Sequence, residues 1–268
     1  MMAILIEGGG SGPSGFPAAH MSNSTAQKLG AEFIGTGLLV FVGAGSYAAT
    51  QKIGAPFSMA ELTGISFAFM LIVVAMVYAI GHISGCQINP AVTVALATTG
   101  KMPWREVPGY LVAQCVGAFA GALAIAGVLG KVAATKFNLG AVDYGSTIFA
   151  RATFAELLGT AILVFTVFGC IDGRSVPGWA GFAIGGVVFA IIVVVGPATG
   201  AAINPARYLG TVFGAGALGG TMHLSHIPAY LIGEFAGGII GALAYNAIGK
   251  TREVTVPAQS TKFEQVSA

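Results

Sequence analysis

The chain has 268 residues, 55% of them hydrophobic and only 8% charged, with a mean hydropathy of +0.83. A soluble domain carries about 25% charged residues, so this composition excludes an ordinary water-exposed surface. The net charge of +2 comes from scattered Lys and Arg, which offers nucleic acid no basic patch. Three cysteines in apolar stretches without CxxC spacing, Cys86, Cys115 and Cys170, argue against a disulfide framework or a metal site.

Residues 1–27 stand apart. Gly8 to Gly15 has linker composition and His20-Met21 resembles a cloning junction, so this segment is set aside from the fold as an expression scar, with a natural disordered extension as the alternative. From Leu29 onward, six apolar runs at 29–49, 60–80, 107–129, 152–171, 179–196 and 227–249 are long enough to cross a bilayer, which takes about 20 helical residues. The segments 89–99 and 204–214 are too short to cross; at about 1.5 Å per residue they reach roughly halfway. Each opens on Asn-Pro, a favoured N-cap followed by the one residue whose missing N–H costs nothing at the first helical position. Gly100 and Pro103 end the first, and the Gly214–Gly220 stretch ends the second. Residues 250–268 form a polar tail.

Internal repetition sets the topology. Gly85-Cys86-Gln87-Ile88-Asn89-Pro90-Ala91 and Gly200-Ala201-Ala202-Ile203-Asn204-Pro205-Ala206 share five of seven residues. Ala31 to Phe41 and Ala155 to Phe165 share seven of eleven, and Val107 to Leu123 matches Ile227 to Leu243 at Pro108/Pro228, Tyr110/Tyr230, Gly117/Gly237 and Gly121/Gly241. The expectation is an all-α integral membrane protein of six spans and two re-entrant half-helices, with one channel domain over 28–249: repeat 1 at 28–130, a polar linker at 131–151 and repeat 2 at 152–249. Three spans per half is an odd number, so the second copy inserts inverted and the site falls at the midplane. With the N-terminus inside, Lys28, Lys101, Arg105, Arg174, Lys250, Arg252 and Lys262 are cytoplasmic, against Lys52, Lys131, Lys136 and Arg151 outside. That asymmetry leans toward both termini being cytoplasmic.

Two half-helix N-termini meeting at the midplane each carry about +0.5 of an elementary charge and repel cations. Asn89 and Asn204 can cap their helices through the side-chain oxygen and leave amide N–H donors for a passing water. Such a water cannot relay a proton. Non-helical backbone ahead of each motif, Gly81–Ile88 and Gly196–Ile203, survives in a bilayer only when buried in protein or facing water. The carbonyls of His82, Ile83, Ser84, Gly85, Thr199, Gly200 and Ala202 are therefore expected to face a pore. Glu32 and Glu156, at equivalent repeat positions, are expected to brace these loops by accepting hydrogen bonds, with Gln114 and Glu234 as a second equivalent pair. Glu234 is left between a carboxylate and a protonated hydrogen-bonding group. Arg207, where the first motif has Val92, places a fixed positive charge at the outer mouth only; carbonyls around 197–202 are expected to satisfy it. The glycine pairs 117/121 and 237/241 allow close helix approach. His82 is expected to hold the first loop, and His223 and His226 to be solvated.

The paired Asn-Pro-Ala half-helices, the Gly81-His82-Ile83-Ser84-Gly85 bend and the Arg207 after the second motif resemble the aquaporin (major intrinsic protein) family over about 28–249, in an archaeal or bacterial type with a non-His filter. The resemblance implies a passive water channel in the plasma membrane, a homotetramer with one pore per protomer, and no cofactor. It also implies an outer filter of Phe69, Ile192, Ala201 and Arg207. Water-selective members typically place His where this chain has Ile192; glycerol facilitators place Trp where it has Phe69 and Asp where it has Tyr208. An Ile wall removes a donor and leaves room for small neutral solutes such as glycerol. By symmetry with Ala201, Cys86 is the candidate mercurial site. A glycerol or small-solute facilitator is the nearer alternative and an ion-coupled transporter the more distant one. An enzyme lacks any nucleophile–base pair or metal cluster in the sequence.

Overall fold

A computed structural model describes residues 23–249. Six of its helices are long and apolar enough to cross a membrane: α1 (Thr25–Lys52), α2 (Met59–Ser84), α4 (Val107–Leu129), α5 (Phe149–Cys170), α6 (Ala180–Thr199) and α8 (Ile227–Gly249). Two shorter ones, α3 (Pro90–Thr98) and α7 (Pro205–Ala217), sit between them. The fold is the all-helical one expected, and several boundaries differ.

Helix α1 starts before the segment set aside as a scar has ended. Ser24 and Gln27 form a reciprocal capping box, Ser24 Oγ accepting from Gln27 N at 3.3 Å and Gln27 Oε1 from Ser24 N at 2.8 Å. Residues 23–27 therefore belong to the fold; residues 1–22 and the tail from 250 lie outside the described residues. Within α1 a π-turn spans Val40–Ala44. Helix α2 runs to Ser84 and α6 to Thr199, so the non-helical stretches are shorter than the expected starts at 81 and 196. Gly81 and Pro197 do not break these helices. Pro197 sits in the last turn, where it removes one backbone donor. Each helix instead ends on a left-handed glycine, Gly85 N donating to Gly81 O at 3.0 Å and Gly200 N to Gly196 O at 2.8 Å. Helix α7 continues through Gly214 to Ala217. A Cβ at Gly214 would meet Ala122 Cβ at 2.8 Å, so that glycine is a packing residue rather than a stop.

Small residues set the packing. A Cβ at Gly117 or Gly121 would fall on the backbone of Phe33 or Gly37, and one at Gly237 or Gly241 on that of Leu157 or Ala161. These pairs bring α4 against α1 and α8 against α5 in matching fashion. Across the halves, α2 packs on α6, α3 on α8 and α7 on α4. Each half-helix thus rests on the third span of the other repeat, and the halves interlock around a common centre. The linker is more than polar: Ala133, Ala134, Leu139 and Gly140 are buried, Gly140 lies against the Ala44 backbone, and Phe149–Arg151 already belong to α5.

Candidate functional site

After α2, Gly85, Cys86 and Ile88 take positive φ (88°, 48° and 43°); after α6, Gly200, Ala201 and Ile203 do the same (77°, 49° and 43°). Left-handed backbone costs a non-glycine residue about 1–3 kcal/mol, and a β-branched Ile is an outlier there. Buried carboxylates hold the strain. Glu32 Oε1 accepts from Ser84 Oγ (2.7 Å) and Gln87 N (2.9 Å), and its Oε2 from Ile88 N (2.6 Å) and Gln114 Nε2 (2.9 Å). Glu156 Oε1 accepts from Thr199 Oγ1 (2.5 Å) and Ala202 N (3.0 Å), and its Oε2 from Ile203 N (2.7 Å). Such charge-assisted bonds are about twice as strong as neutral ones. The Ser84 and Thr199 hydroxyls also accept from Cys86 N (3.1 Å) and Ala201 N (3.2 Å).

Two residues given no role from the sequence complete the set. Tyr110 and Tyr230 hydroxyls donate to the carbonyls of Ser84 (3.0 Å) and Thr199 (2.7 Å). Their signal was present: a tyrosine pair at equal repeat positions, matched by a hydroxyl residue before each loop glycine. These bonds correct the expected carbonyl ladder. His82, Ile83, Ser84 and Thr199 belong to last helical turns, whose carbonyls point along the axis toward capping donors. Asn23 Nδ2 takes those of His82 (2.9 Å) and Ile83 (3.1 Å). Only Gly85, Gly200 and Ala202 of the named carbonyls remain in the non-helical stretches.

At the centre, Asn89 Oδ1 accepts from Ala91 N (2.9 Å), and Asn204 Oδ1 from Ala206 N (3.1 Å) and Arg207 N (3.2 Å). Each asparagine then reaches across the repeat boundary: Asn89 Nδ2 donates to Ile203 O and Asn204 Nδ2 to Ile88 O, both at 2.8 Å. A carboxamide nitrogen carries two hydrogens, so one on each is left over. Pro90, Ala91, Pro205 and Ala206 are buried behind the asparagines, Ala91 against Gly238 and Ala206 among Ala118 and Ala122.

A cavity of about 480 Å³ runs from Lys28, Lys101 and Glu106 past Cys86, Asn89, Asn204 and Ala201 to Phe69, Ile192 and Arg207. A second, of about 250 Å³, begins at the same Phe69, Ile192 and Arg207 and opens between Tyr47, Phe57 and Asp143. Those three residues are the partition between the two spaces. Arg207 is 3% exposed, with its guanidinium carbon 5.5 Å from the Phe69 ring centre. Two of the carbonyls expected to satisfy it accept from other donors, Ala198 O from Thr147 Oγ1 (3.3 Å) and Thr199 O from Tyr230. Among the described residues its buried Nε and Nη1 find no acceptor.

The second support pair splits in role. Gln114 Nε2 bridges Glu32 and Thr93 Oγ1 (3.0 Å), whereas Glu234 Oε1 accepts from Asn204 N (3.0 Å) at the cap of α7. The His82 side chain is exposed at the inner mouth. His223 Nε2 lies 3.7 Å from Asp143 Oδ2, and His226 stacks on Tyr144 at 3.9 Å, so neither is simply solvated.

With this geometry the chain can be compared with known proteins. A family model described as "Major intrinsic protein" matches residues 19–245. The chain belongs to the major intrinsic protein family. It is 38% identical to Aquaporin AqpM of Methanothermobacter marburgensis over 238 residues, 83% of this chain and 97% of that one. It is 37% identical to Aquaporin NIP1-3 of Oryza sativa subsp. japonica, over 93% of this chain and 85% of the relative. The X-ray structure of the aquaglyceroporin from Plasmodium falciparum shares the fold with a TM-score of 0.76 at 24% identity, covering 84% of this chain and 97% of that one. Membership makes the protein a multi-pass membrane channel and not an enzyme.

Proposed function

We propose that the protein conducts water passively through the cavity beside Asn89 and Asn204 and rejects ions and protons. The reciprocal asparagine bonds carry this reading. Both side-chain oxygens are turned to backbone N–H groups of their own half-helices, and each amide nitrogen keeps one donor hydrogen for the passage. A water accepting from both points its own hydrogens away along the two arms, and the proton wire is interrupted there. The facing helix ends add about +0.5 of a charge each at the same level. Half-helix dipoles and an arginine are the established means of excluding protons and cations in aquaporin-type pores.

Phe69, Ile192, Ala201 and Arg207 form the filter. Its one charged wall supplies donors while Phe69 and Ile192 supply none, so it favours small neutral solutes and leaves glycerol admissible. Glu32 and Glu156 are committed to backbone donors, and Arg207 is the one charged side chain at the partition, which supports passive flow over ion coupling. The assembly is a homotetramer in the plasma membrane, with both termini cytoplasmic.

Stopped-flow light scattering on proteoliposomes tests the reading. Vesicles carrying the protein should shrink in a sucrose gradient far faster than empty ones, and shrinkage no faster than empty vesicles refutes it. Fast re-swelling in glycerol identifies a solute facilitator; slow re-swelling identifies a water-selective pore.

A further inference from the structure

One residue outside the partition shapes it. Gly43 lies in the π-turn of α1, and a Cβ there would overlap Cδ1, Cε1 and Cζ of Phe69, the last at 2.6 Å. The Phe69 ring therefore occupies the volume that any side chain at Gly43 would need. We propose that Gly43 is a specificity-determining residue of the outer constriction: it receives the Phe69 ring and so sets the largest neutral solute that passes. This rests on the proposed channel function.

Three observations make the ring, and not the helix, the part that yields. The Gly43 carbonyl is pinned by Ser46 Oγ at 2.7 Å. Ala44, beside it, is held against the linker by Gly140, whose missing side chain lets the two backbones touch. Gly45 is backed by Ile125, which a Cβ would meet at 3.3 Å. On its other side Phe69 borders both cavities and the Arg207 guanidinium. Ordinary carbon contacts lie near 3.5–4.0 Å, so a methyl group at 43 drives the ring about 1 Å into the passage.

The other half of the molecule makes the opposite choice. The repeat equivalents of Gly43 and Phe69 are Val167 of α5, a span without a π-turn, and Ile184 of α6, both of which line the inner cavity. A glycine behind a large ring in one half corresponds to a valine beside a smaller aliphatic chain in the other. The space is shared differently, and only the first arrangement sets an aromatic ring face against a buried cation.

The test compares wild type, Gly43→Ala, Phe69→Leu and the double variant in proteoliposomes, reading water, formamide, urea and glycerol permeability. Gly43→Ala should lower the permeability of the largest solute that wild type passes at least tenfold, and water less than the solute. In the Phe69→Leu background, which lacks the ring edge, the same change should alter every permeability less than twofold. An equal loss in both backgrounds, or no loss in the single variant, overturns the proposal. If the single variant does not assemble, assembly of the double variant with the permeabilities of Phe69→Leu upholds it, and failure of both overturns it. Wild-type vesicles no faster than empty ones would instead refute the channel reading itself.

Discussion

In the first half of the chain Glu32 accepts from the N–H groups of Gln87 and Ile88, Ser84 relays to Cys86, and Tyr110 closes the helix end. In the second, Glu156, Thr199 and Tyr230 do the same for Ala202, Ile203 and Ala201. The two sets agree almost atom for atom. Among the positions that differ between halves are Val92 against Arg207, Cys86 against Ala201, Gln114 against Glu234 and Gly43 against Val167. Three of these pairs put at least one side chain on the passage, and the fourth sits at the half-helix supports. The shared residues hold a strained loop in place, and the unshared ones decide what passes it.

Removing a shared residue should have the largest effect, and the same effect in either half. Glu32→Ala or Glu156→Ala leaves two buried N–H groups and a hydroxyl without an acceptor, at about 1–3 kcal/mol each, and releases the backbone strain they hold. Neither variant should yield a folded channel, as read by thermal melting in detergent and water permeability. A large difference between the two would break the equivalence of the halves.

Making the halves alike at the filter comes next. Arg207→Val copies Val92 and removes the single cation of the partition, whose field is strong because it is buried at 3% exposure. Water flow should persist while proton and cation leak, measured under an imposed potential, rises at least tenfold; a tenfold change corresponds to about 1.4 kcal/mol of barrier. Ile192→His supplies a donor to a wall that has none. It should reduce glycerol permeability more than water permeability.

A smaller contrast concerns the thiol. Cys86 lines the main cavity at 8% exposure while its counterpart is Ala201. Mercurial inhibition of water flow should disappear in Cys86→Ser and survive in Cys115→Ser. Unchanged inhibition in Cys86→Ser removes this role.

The sequence carried the midplane and its supports because duplication leaves a trace that single residues do not: Asn89 and Asn204, Glu32 and Glu156, and the glycine pairs are each visible twice. It hid what has no periodic signature. Val40 to Ala44 is apolar throughout, so a π-turn and an α-turn give the same pattern there, and the Gly43–Phe69 contact is invisible without coordinates. Gly81 and Pro197 look like breaks by local propensity, but the glycine caps at Gly85 and Gly200 set where these helices end. Ser24-Thr25-Ala26-Gln27 is a readable capping box that was hidden by the linker-like residues before it.

The smallest effects belong at the surface, where the halves also correspond. Lys52 Nζ, at the end of the first span, donates to Leu129 O at 2.7 Å; Arg174, just past the equivalent span, donates to Gly249 O at 2.8 Å. In both halves a cation caps the last carbonyls of the third span, where the helix dipole favours it. Only the second cap is tied to a carboxylate, since Arg174 Nε and Nη2 bond Asp172 at 2.8 and 2.5 Å and Tyr245 joins the same group at 2.9 Å. Those bonds, Arg174 first, hold the Asp172 carboxyl below its ordinary value of 3.8. A carboxyl lowered on folding stabilises above its unfolded pKa, and that contribution is lost as pH falls through the lower folded value. Melting-temperature shifts from Lys52→Ala and Arg174→Ala should both be smaller than any change above. The Arg174→Ala shift should be constant from pH 8 to about 5 and shrink only in stronger acid, where Asp172 protonates. The Lys52→Ala shift should stay flat across the range, because its partner is a backbone carbonyl with nothing to titrate.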